Sequence, residues 1–244
     1  MTSSIRSHPA LLLALLFALL MAAPAAAELP GLGDRVPRVT VDARVAPWSS
    51  LVRVQAPGLV RCTGVLVAPD LVATAAHCLY SVRLGHFIPP GSVNVLLGYA
   101  AGAHAGHAVA DGYRTADGFD PQRVEVTRGA DVALIHLAVA LSGPVLRLAE
   151  SEAAFAVVLG GYQQDRNEVI AADFNCRLTG VVADAEGRTL LTHGCAATRG
   201  SSGAPLLAQL ADGTWRILGI QSGGRRDARG GVAVPVATLR SLLP

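Results

Sequence analysis

Two adjacent serines, Ser201 and Ser202, lie between glycines in the stretch TRGSSGAP at residues 198–205. A serine held out from a sharp Gly-rich turn can act as a nucleophile, although the same composition also forms ordinary surface turns. A free hydroxyl is a poor nucleophile at neutral pH, so a reactive serine needs a neighbouring base. Because the chain contains no lysine, that base has to be a histidine.

The order of residues along the chain excludes several kinds of catalytic site. All the histidines precede Ser201, whereas α/β-hydrolases place the serine before the acid and the histidine. The G-x-S-x-G pattern also fails around Ser202, because Ala204 stands at its last position. The absence of lysine excludes a Ser-Lys dyad, a phosphate-binding loop with its lysine, and a Schiff-base enzyme. The remaining order places the histidine before the serine.

The elements that must position such residues are predicted to be strands. After about residue 50, short runs rich in Val, Leu and Ile, such as LVRVQA, VNVLLG and DVALIHLAV, alternate with turn residues. This pattern predicts an all-β sandwich or barrel. VATLRSLL near the end has the pattern of a short C-terminal helix. Residues 100–123, rich in Ala, Gly and His, are predicted to be a loop-rich insertion.

Composition excludes disorder and a nucleic-acid partner. Hydrophobic residues make up 51% of the chain, enough to build a core. The formal net charge is +2, and no basic stripe of the kind that binds nucleic acid is present.

Residues 1–27 have the pattern of a secretory signal peptide. Arg6 and His8 precede the apolar run ALLLALLFALLMAA, and small residues follow up to Ala27. The run is shorter than the roughly 20 residues of a membrane-spanning helix. We therefore expect cleavage after Ala27, export to the periplasm or the extracellular space, and no membrane association after signal removal.

The chain has four cysteines: Cys62, Cys78, Cys176 and Cys195. An even number in an exported chain favours two disulfides, and three pairings are open, of which nearest neighbours in sequence is the simplest. The cysteine spacings do not match a zinc site, and His104 and His107 have no acidic third ligand at a suitable spacing. We therefore expect no metal site.

Three segments together resemble the motifs of chymotrypsin-like serine proteases. ATAAHC contains His77 and resembles the strand and turn that carry the family's catalytic histidine. GADVALIHL, in which Asp131 opens an apolar strand, and RGSSGAPLL, which matches the G-x-S-G-x-P loop at Ser202, resemble the other two motifs. Their order is the family's order, and they cover the chain from about residue 50 to its end. Cys195 lies seven positions before the serine, which resembles bacterial members.

The resemblance implies two packed six-stranded antiparallel β-barrels with the active site in the cleft between them. An N-terminal segment at 28–50 would precede a protease domain at 51–244, with barrel one at about 51–140 and barrel two at about 145–235. A Cys62–Cys78 disulfide would then join the strand before His77 to the turn that carries it. A Cys176–Cys195 disulfide would link two segments of the second half near the serine loop.

The resemblance also implies roles for single residues. His77 would be the base and Asp131 would orient it, while Ser202 would attack and the N–H groups of Gly200 and Ser202 would bind the oxyanion. The resemblance therefore implies a serine endopeptidase that cleaves protein or peptide substrates through an acyl-enzyme, without a cofactor. The alternatives are a catalytically silent binding protein on the same fold and an esterase with the same triad.

Specificity and activation follow from the same comparison. Ala196 stands where trypsin-like members carry a pocket Asp, and Gln221 stands where glutamate-selective members carry a His, so we expect cleavage after small or medium uncharged residues. Ser222 would bind the catalytic Asp, and Gly224 would pair with the substrate backbone. Ser201 stands where zymogen-type members carry an Asp that binds a new N-terminus. We therefore expect an oxyanion loop that is ordered once the signal peptide is removed.

Overall fold

The computed structural model of the chain describes residues 29–33, 38–150, 156–225 and 228–244. The predicted signal peptide lies outside the described residues. The strands, in chain order, are β1 (Val39–Thr40), β2 (Leu51–Ala56), β3 (Val60–Ala68), β4 (Leu71–Thr74), β5 (Tyr80–Ser81), β6 (His86–Phe87), β7 (Asn94–Leu97), β8 (Gly106–Thr115), β9 (Ala133–Leu137), β10 (Arg147–Leu148), β11 (Ala156–Gln163), β12 (Arg166–Ala183), β13 (Thr189–His193), β14 (Pro205–Gln209), β15 (Trp215–Gly224) and β16 (Gly231–Pro235).

The helices in the described part of the chain are short. The 3₁₀ turns are Trp48–Ser50, Ala76–Leu79, Pro90–Ser92 and Arg128–Ala130, and the α-helix α1 spans Val236–Arg240 near the C-terminus. Val236 and Leu239, three positions apart on α1, are both buried. The C-terminal helix predicted from the sequence is therefore confirmed. Within the described residues, no helix combines the length and apolar character needed to cross a membrane.

Barrel one is a closed sheet in the order β2-β3-β4-β9-β8-β7, with every neighbouring pair antiparallel. Alternate residues of its strands face inward, as the two-residue period of a strand requires. On β9, Ile135 packs in the core of barrel one, while Leu134 joins a larger apolar cluster with side chains of barrel two. Burial on both faces explains why these strands read as continuous apolar runs.

One sequence prediction about this barrel is wrong. Residues 100–123 were expected to be a loop-rich insertion, yet β8 within them is a ten-residue strand of the barrel. Ala108 and Ala110 face the core, whereas His107 before them and Asp111 after them are exposed. The alternation is real, but small alanines carry its apolar half, so the segment lacks the bulky residues that mark a strand.

Barrel two is a ring of six antiparallel strands in the order β12-β11-β14-β15-β16-β13, closed by pairing of β12 with β13. Strand β1 adds to β12 at the outside, and β10 pairs in parallel with β15. The predicted fold of two six-stranded antiparallel barrels is confirmed.

Both disulfides join nearest neighbours in sequence: Cys62 with Cys78, and Cys176 with Cys195. The first lies beside the turn that carries His77. In the chain-entropy model, closing a loop of this length contributes about 3 kcal/mol to the free energy of unfolding. The covalent link therefore helps to fix that turn on barrel one.

Candidate active site

His77 lies in the 3₁₀ turn that follows β4. Ala75 and Ala76 are fully buried, which anchors the turn, while 28% of the His77 side chain is exposed to solvent. The Thr74 hydroxyl donates to the carbonyl oxygen of Thr63 on β3 at 2.7 Å. The end of β4 is thus fixed in the barrel wall, and the histidine projects from a rigid support.

Asp131 follows the 3₁₀ turn Arg128–Ala130, two positions before β9 begins, and its side chain is fully buried. Its carboxylate accepts hydrogen bonds from the backbone N–H of His77 at 2.8 Å, from Nδ1 of His77 at 2.6 Å and from the Ser222 hydroxyl at 2.5 Å. Burying a carboxylate is costly unless its oxygens are hydrogen-bonded, and these three donors meet that requirement. The pair joins two motifs 54 positions apart in sequence.

The hydrogen bond to Asp131 determines what His77 can do. With Nδ1–H donating to the carboxylate, Nε2 keeps its lone pair and can accept a proton. Burial disfavours the imidazolium, but the charge of Asp131 and its hydrogen bond outweigh burial, so the pKa of His77 is raised above its ordinary value. His77 is therefore a stronger base than free histidine.

Ser202 lies in the loop before β14, and backbone hydrogen bonds to both barrels hold this loop in place. Its carbonyl oxygen accepts from the N–H of Thr63 at 2.9 Å, and the next residue, Gly203, donates to the carbonyl oxygen of Gln221 at 2.7 Å. Gly203 has φ +82°, and a Cβ there would overlap the carbonyl oxygen of Thr63. A side chain at this position would push the loop away from barrel one.

The Ser202 hydroxyl itself makes no hydrogen bond among the described residues, and Ser202 lines a cavity of about 480 Å³. Hydrogen bonds between a nucleophile and its base often tighten only when substrate is bound. The hydroxyl of the neighbouring Ser201 is instead buried and donates to the carbonyl oxygen of Thr198 at 2.7 Å. Both serines line the cavity, but the Ser201 hydroxyl is engaged inside the loop, whereas the Ser202 hydroxyl has no hydrogen-bond partner among the described residues.

Two backbone donors lie in the loop that lines this cavity. In the described part of the chain, the N–H groups of Gly200 and Ser202 donate to no protein acceptor, whereas that of Ser201 between them donates to Thr198. Gly200 has φ +91°, a conformation that favours glycine. Two unpaired N–H groups flanking one peptide can hold an oxygen that gains negative charge.

The residues around the cavity are Pro30, Ala197, Thr198, Arg199, Ser201, Ser202, Gln221, Gly223 and Gly224. Of the substrate-binding residues predicted from sequence, Gln221 and Gly224 line it. Ala196 lies beneath the wall, where its N–H donates to Asp173 at 2.7 Å, and Ala197 takes the position in the wall. Ser222 points instead to Asp131, as the resemblance implies.

His193 orients Gln221 in this wall. The N–H of Cys195 donates to Nδ1 of His193 at 3.2 Å, so the ring proton is on Nε2 and donates to Oε1 of Gln221 at 2.6 Å. Burial lowers the pKa of His193 to about 4, so the ring is neutral near pH 7. Nε2 of Gln221 donates in turn to the carbonyl oxygen of Gly223 at 3.1 Å, so the amide is fixed on both sides.

Sequence reasoning missed two contributions to this site. Pro30 lines the cavity, and Gly31 accepts a hydrogen bond from the N–H of Ala197 at 3.2 Å, so the N-terminal segment forms part of the wall. Arg128 donates to the Ser222 hydroxyl at 3.1 Å and pairs with Glu125. Neither contact has a local sequence signal, because a lone Pro-Gly or Arg is common in turns and on surfaces.

Among the described residues, one group of at least three potential metal ligands occurs, formed by Cys62, His77 and Cys78. Both cysteines are joined in a disulfide, so neither offers a thiolate to a metal ion. The group therefore reflects the packing of the disulfide against the histidine turn.

Comparisons with known proteins agree with this fold. The family model for Trypsin matches residues 38–243. A structure described as Glu endopeptidase in complex with MPD is 21% identical with a TM-score of 0.66, covering 86% of this chain and 96% of that one. The VesB protease of Vibrio cholerae is 21% identical with a TM-score of 0.64, covering 84% of this chain and 65% of that one. No curated protein matches the chain. With the family model spanning both barrels and every motif of the site, the chain belongs to the trypsin family of serine endopeptidases.

Proposed function

We propose that this chain is an exported endopeptidase that cleaves peptide bonds through Ser202, His77, Asp131 and an acyl-enzyme. The observation that carries the proposal is the Asp131–His77 hydrogen bond of 2.6 Å beside a cavity lined by Ser202. His77 accepts the proton of Ser202 as the hydroxyl attacks the carbonyl carbon, and later delivers it to the leaving amine. Water, deprotonated by His77, then attacks the acyl-enzyme carbonyl carbon, which releases the acid product and returns the proton to Ser202.

Asp131 and the loop supply the electrostatic part of the mechanism. The carboxylate stabilises the imidazolium of His77 while the proton is transferred. The N–H groups of Gly200 and Ser202 receive the negative charge that develops on the substrate oxygen, and one such donor typically contributes about 3–4 kcal/mol. A silent binding protein has no need for these free donors or for an oriented histidine, so the geometry favours catalysis. An esterase would use the same groups, and hydrolysis of peptides separates the two.

The two disulfides support the exported part of the proposal. Disulfides persist in oxidising compartments, which include the periplasm and the extracellular space. The signal-peptide pattern at residues 1–27 provides the route.

The test of the proposed function is labelling of the purified protein with a fluorophosphonate, followed by peptide mapping of the modified residue. We expect modification of Ser202, and none in Ser202→Ala or in heat-unfolded protein, since the reaction needs the activated hydroxyl. Modification of Ser201, or no labelling of a folded protein that also fails to cleave peptides, would contradict the proposal.

The pH dependence of activity should reflect His77. Its imidazole must be neutral to act as a base, so kcat/KM should rise with pH through the pKa of the free enzyme. Because Asp131 raises that pKa, the midpoint should lie above the ordinary value of about 6.5. The measurement is kcat/KM for a peptide substrate across about pH 5 to pH 9, and a flat profile would exclude His77 as the base.

Cleavage should follow small or medium uncharged residues. Asp173, the buried carboxylate behind Ala196, is already engaged by Arg229 at 2.5 Å and by the N–H of Ala196, so it is not free to bind a substrate cation. Profiling with a peptide library tests this, and a strong preference for Arg, Lys or Glu would contradict it. Ala197→Val should narrow the cavity, and the ratio of kcat/KM for smaller over larger residues at the cleaved position should rise by about tenfold.

A further inference from the structure

Arg38, in the segment before barrel one, is a fully buried cation. Its guanidinium donates to Oε1 of Gln163 at 2.6 Å and to the two carboxylate oxygens of Asp165 at 3.0 and 2.7 Å. A buried charge is costly unless it is paired with good geometry, and this bidentate pair provides that. Hydrogen bonds from Arg38 also lower the pKa of Asp165, so the pair stays charged at neutral pH.

Gln163 connects this cation to the loop that precedes Ser202. The same Oε1 atom accepts from the backbone N–H of Thr198 at 2.9 Å, and Nε2 donates to the carbonyl oxygen of Ala171 at 3.0 Å. The amide is buried and cannot turn without losing one of these bonds. Donation by Nε2 polarises the amide and strengthens Oε1 as an acceptor, and Arg38 holds that oxygen in place by occupying its second lone pair.

The adjacent residue, Gln164, fixes the next peptide of the loop. Its N–H donates to the carbonyl oxygen of Arg199 at 2.7 Å, and its side chain donates to the Thr198 hydroxyl at 2.8 Å. A trans peptide is planar, with its C=O and N–H pointing in opposite directions. Because the Arg199 carbonyl points to Gln164, the N–H of Gly200 in the same peptide must point away from Gln164.

Gly200 completes the fit between the two segments. A Cβ at this position would overlap the carbonyl oxygen of Tyr162 at the end of β11, and the Gly200 carbonyl accepts from the Thr63 hydroxyl at 2.9 Å. Residues 162–164 therefore form the support on which residues 198–200 lie. Arg38 contacts this support at Gln163, and Asp165 follows it directly in sequence.

We propose that Arg38 is a positioning residue for the oxyanion loop, acting through Gln163 to hold the Arg199–Gly200 peptide with its N–H towards the reacting carbonyl. This inference rests on the proposed function, because it concerns the donor that Gly200 supplies to the substrate. Ser201 is uncharged and hydrogen-bonded within the loop. The charge that orders the loop therefore comes from an internal arginine of the N-terminal segment, and a new chain end is not needed for it.

A purely structural role for Arg38 makes a different prediction. The carbonyl of Arg38 accepts from Arg166 at 2.9 Å, and β1 directly after it pairs with β12. If Arg38 only fastened this edge of barrel two, its loss would lower the free energy of unfolding and leave the kcat of folded enzyme unchanged.

The experiment compares Arg38→Gln, Gln163→Leu and Gln163→Glu in the full chain. Arg38→Gln and Gln163→Leu should lower kcat by about 10- to 100-fold with KM changed by less than about threefold, since one oxyanion donor is worth up to about 10³-fold. Gln163→Glu keeps an acceptor for both Arg38 and Thr198 and loses only the donor to the Ala171 carbonyl, so its kcat should fall at least about threefold less than that of Gln163→Leu.

Two further readouts separate positioning from stability. Affinity for a peptide boronate, whose adduct places an oxygen in the hole, should fall by the same factor as kcat/KM. The pH midpoint of kcat/KM should not move, because the His77–Asp131 pair is untouched. Arg53→Gln is the matched control: Arg53 is also a buried arginine paired with a carboxylate, Glu168, but it does not contact the loop. Its kcat should be unchanged even if its melting temperature falls.

The outcomes are distinct. The inference would be overturned if Arg38→Gln folded and kept wild-type kcat and boronate affinity. Equal losses of kcat in Arg38→Gln and Arg53→Gln would also overturn it. If Arg38→Gln fails to fold, the contrast between Gln163→Leu and Gln163→Glu decides, and equal kcat in those two variants would overturn it. A wild-type protein without labelling at Ser202 would instead contradict the proposed function.

Discussion

Replacing Ser202 with alanine should lower kcat for peptide hydrolysis by about 10⁴-fold or more. The triad acts as a unit, so removal of the nucleophile leaves only the contribution of binding and of the oxyanion donors. Folding should be little affected, because the hydroxyl makes no hydrogen bond in the described structure and the loop is held by the backbone of Ser202 and Gly203. The measurement is kcat at saturating peptide, with far-UV circular dichroism to confirm folding.

Ser201→Ala is the matched control for this prediction. The Ser201 hydroxyl donates to Thr198 inside the loop, so its removal should cost about 1 kcal/mol of stability and retain most activity. If Ser201→Ala were inactive and Ser202→Ala active, the assignment of the nucleophile would be reversed.

Replacing Asp131 with asparagine should lower kcat by about 10⁴-fold. An amide cannot stabilise the imidazolium, and its NH₂ group next to His77 favours the tautomer in which the base nitrogen carries the proton. The charge that raises the pKa of His77 is also lost, so the midpoint of the residual activity should move to lower pH. Both quantities come from kcat and kcat/KM measured as a function of pH.

Asp184→Asn provides a comparison with a second carboxylate that is fully buried and pairs with Arg188. It contacts neither His77 nor Ser222, so its kcat should fall by less than about tenfold even if stability decreases. Equal losses in Asp131→Asn and Asp184→Asn would show that the effect reflects the loss of a buried charge, and would argue against orientation of His77.

The sequence by itself determined the fold class, the order of the site motifs and the number of disulfides. Strand lengths and turn residues are local properties, so apolar runs such as that at β9 identify strands without knowledge of their partners. His77, Asp131 and Ser202 could be chosen because each lies in a motif with its own local pattern. The nearest-neighbour disulfides were the simplest of three pairings, and the structure selected them.

The tertiary structure alone decided how the site is supported and shaped. Arg38 meets Gln163 125 positions away, and Arg128 meets Ser222 94 positions away, where barrel closure brings the segments together. Arg and Gln are common surface residues, so nothing in their local sequence marks them as buried partners. The choice of Ala197 over Ala196 as cavity wall depends on a single-residue register, because neighbouring residues of an extended chain face opposite sides. Packing between the barrels decides which of two neighbouring side chains faces the cavity. A pattern of residue types does not specify that packing.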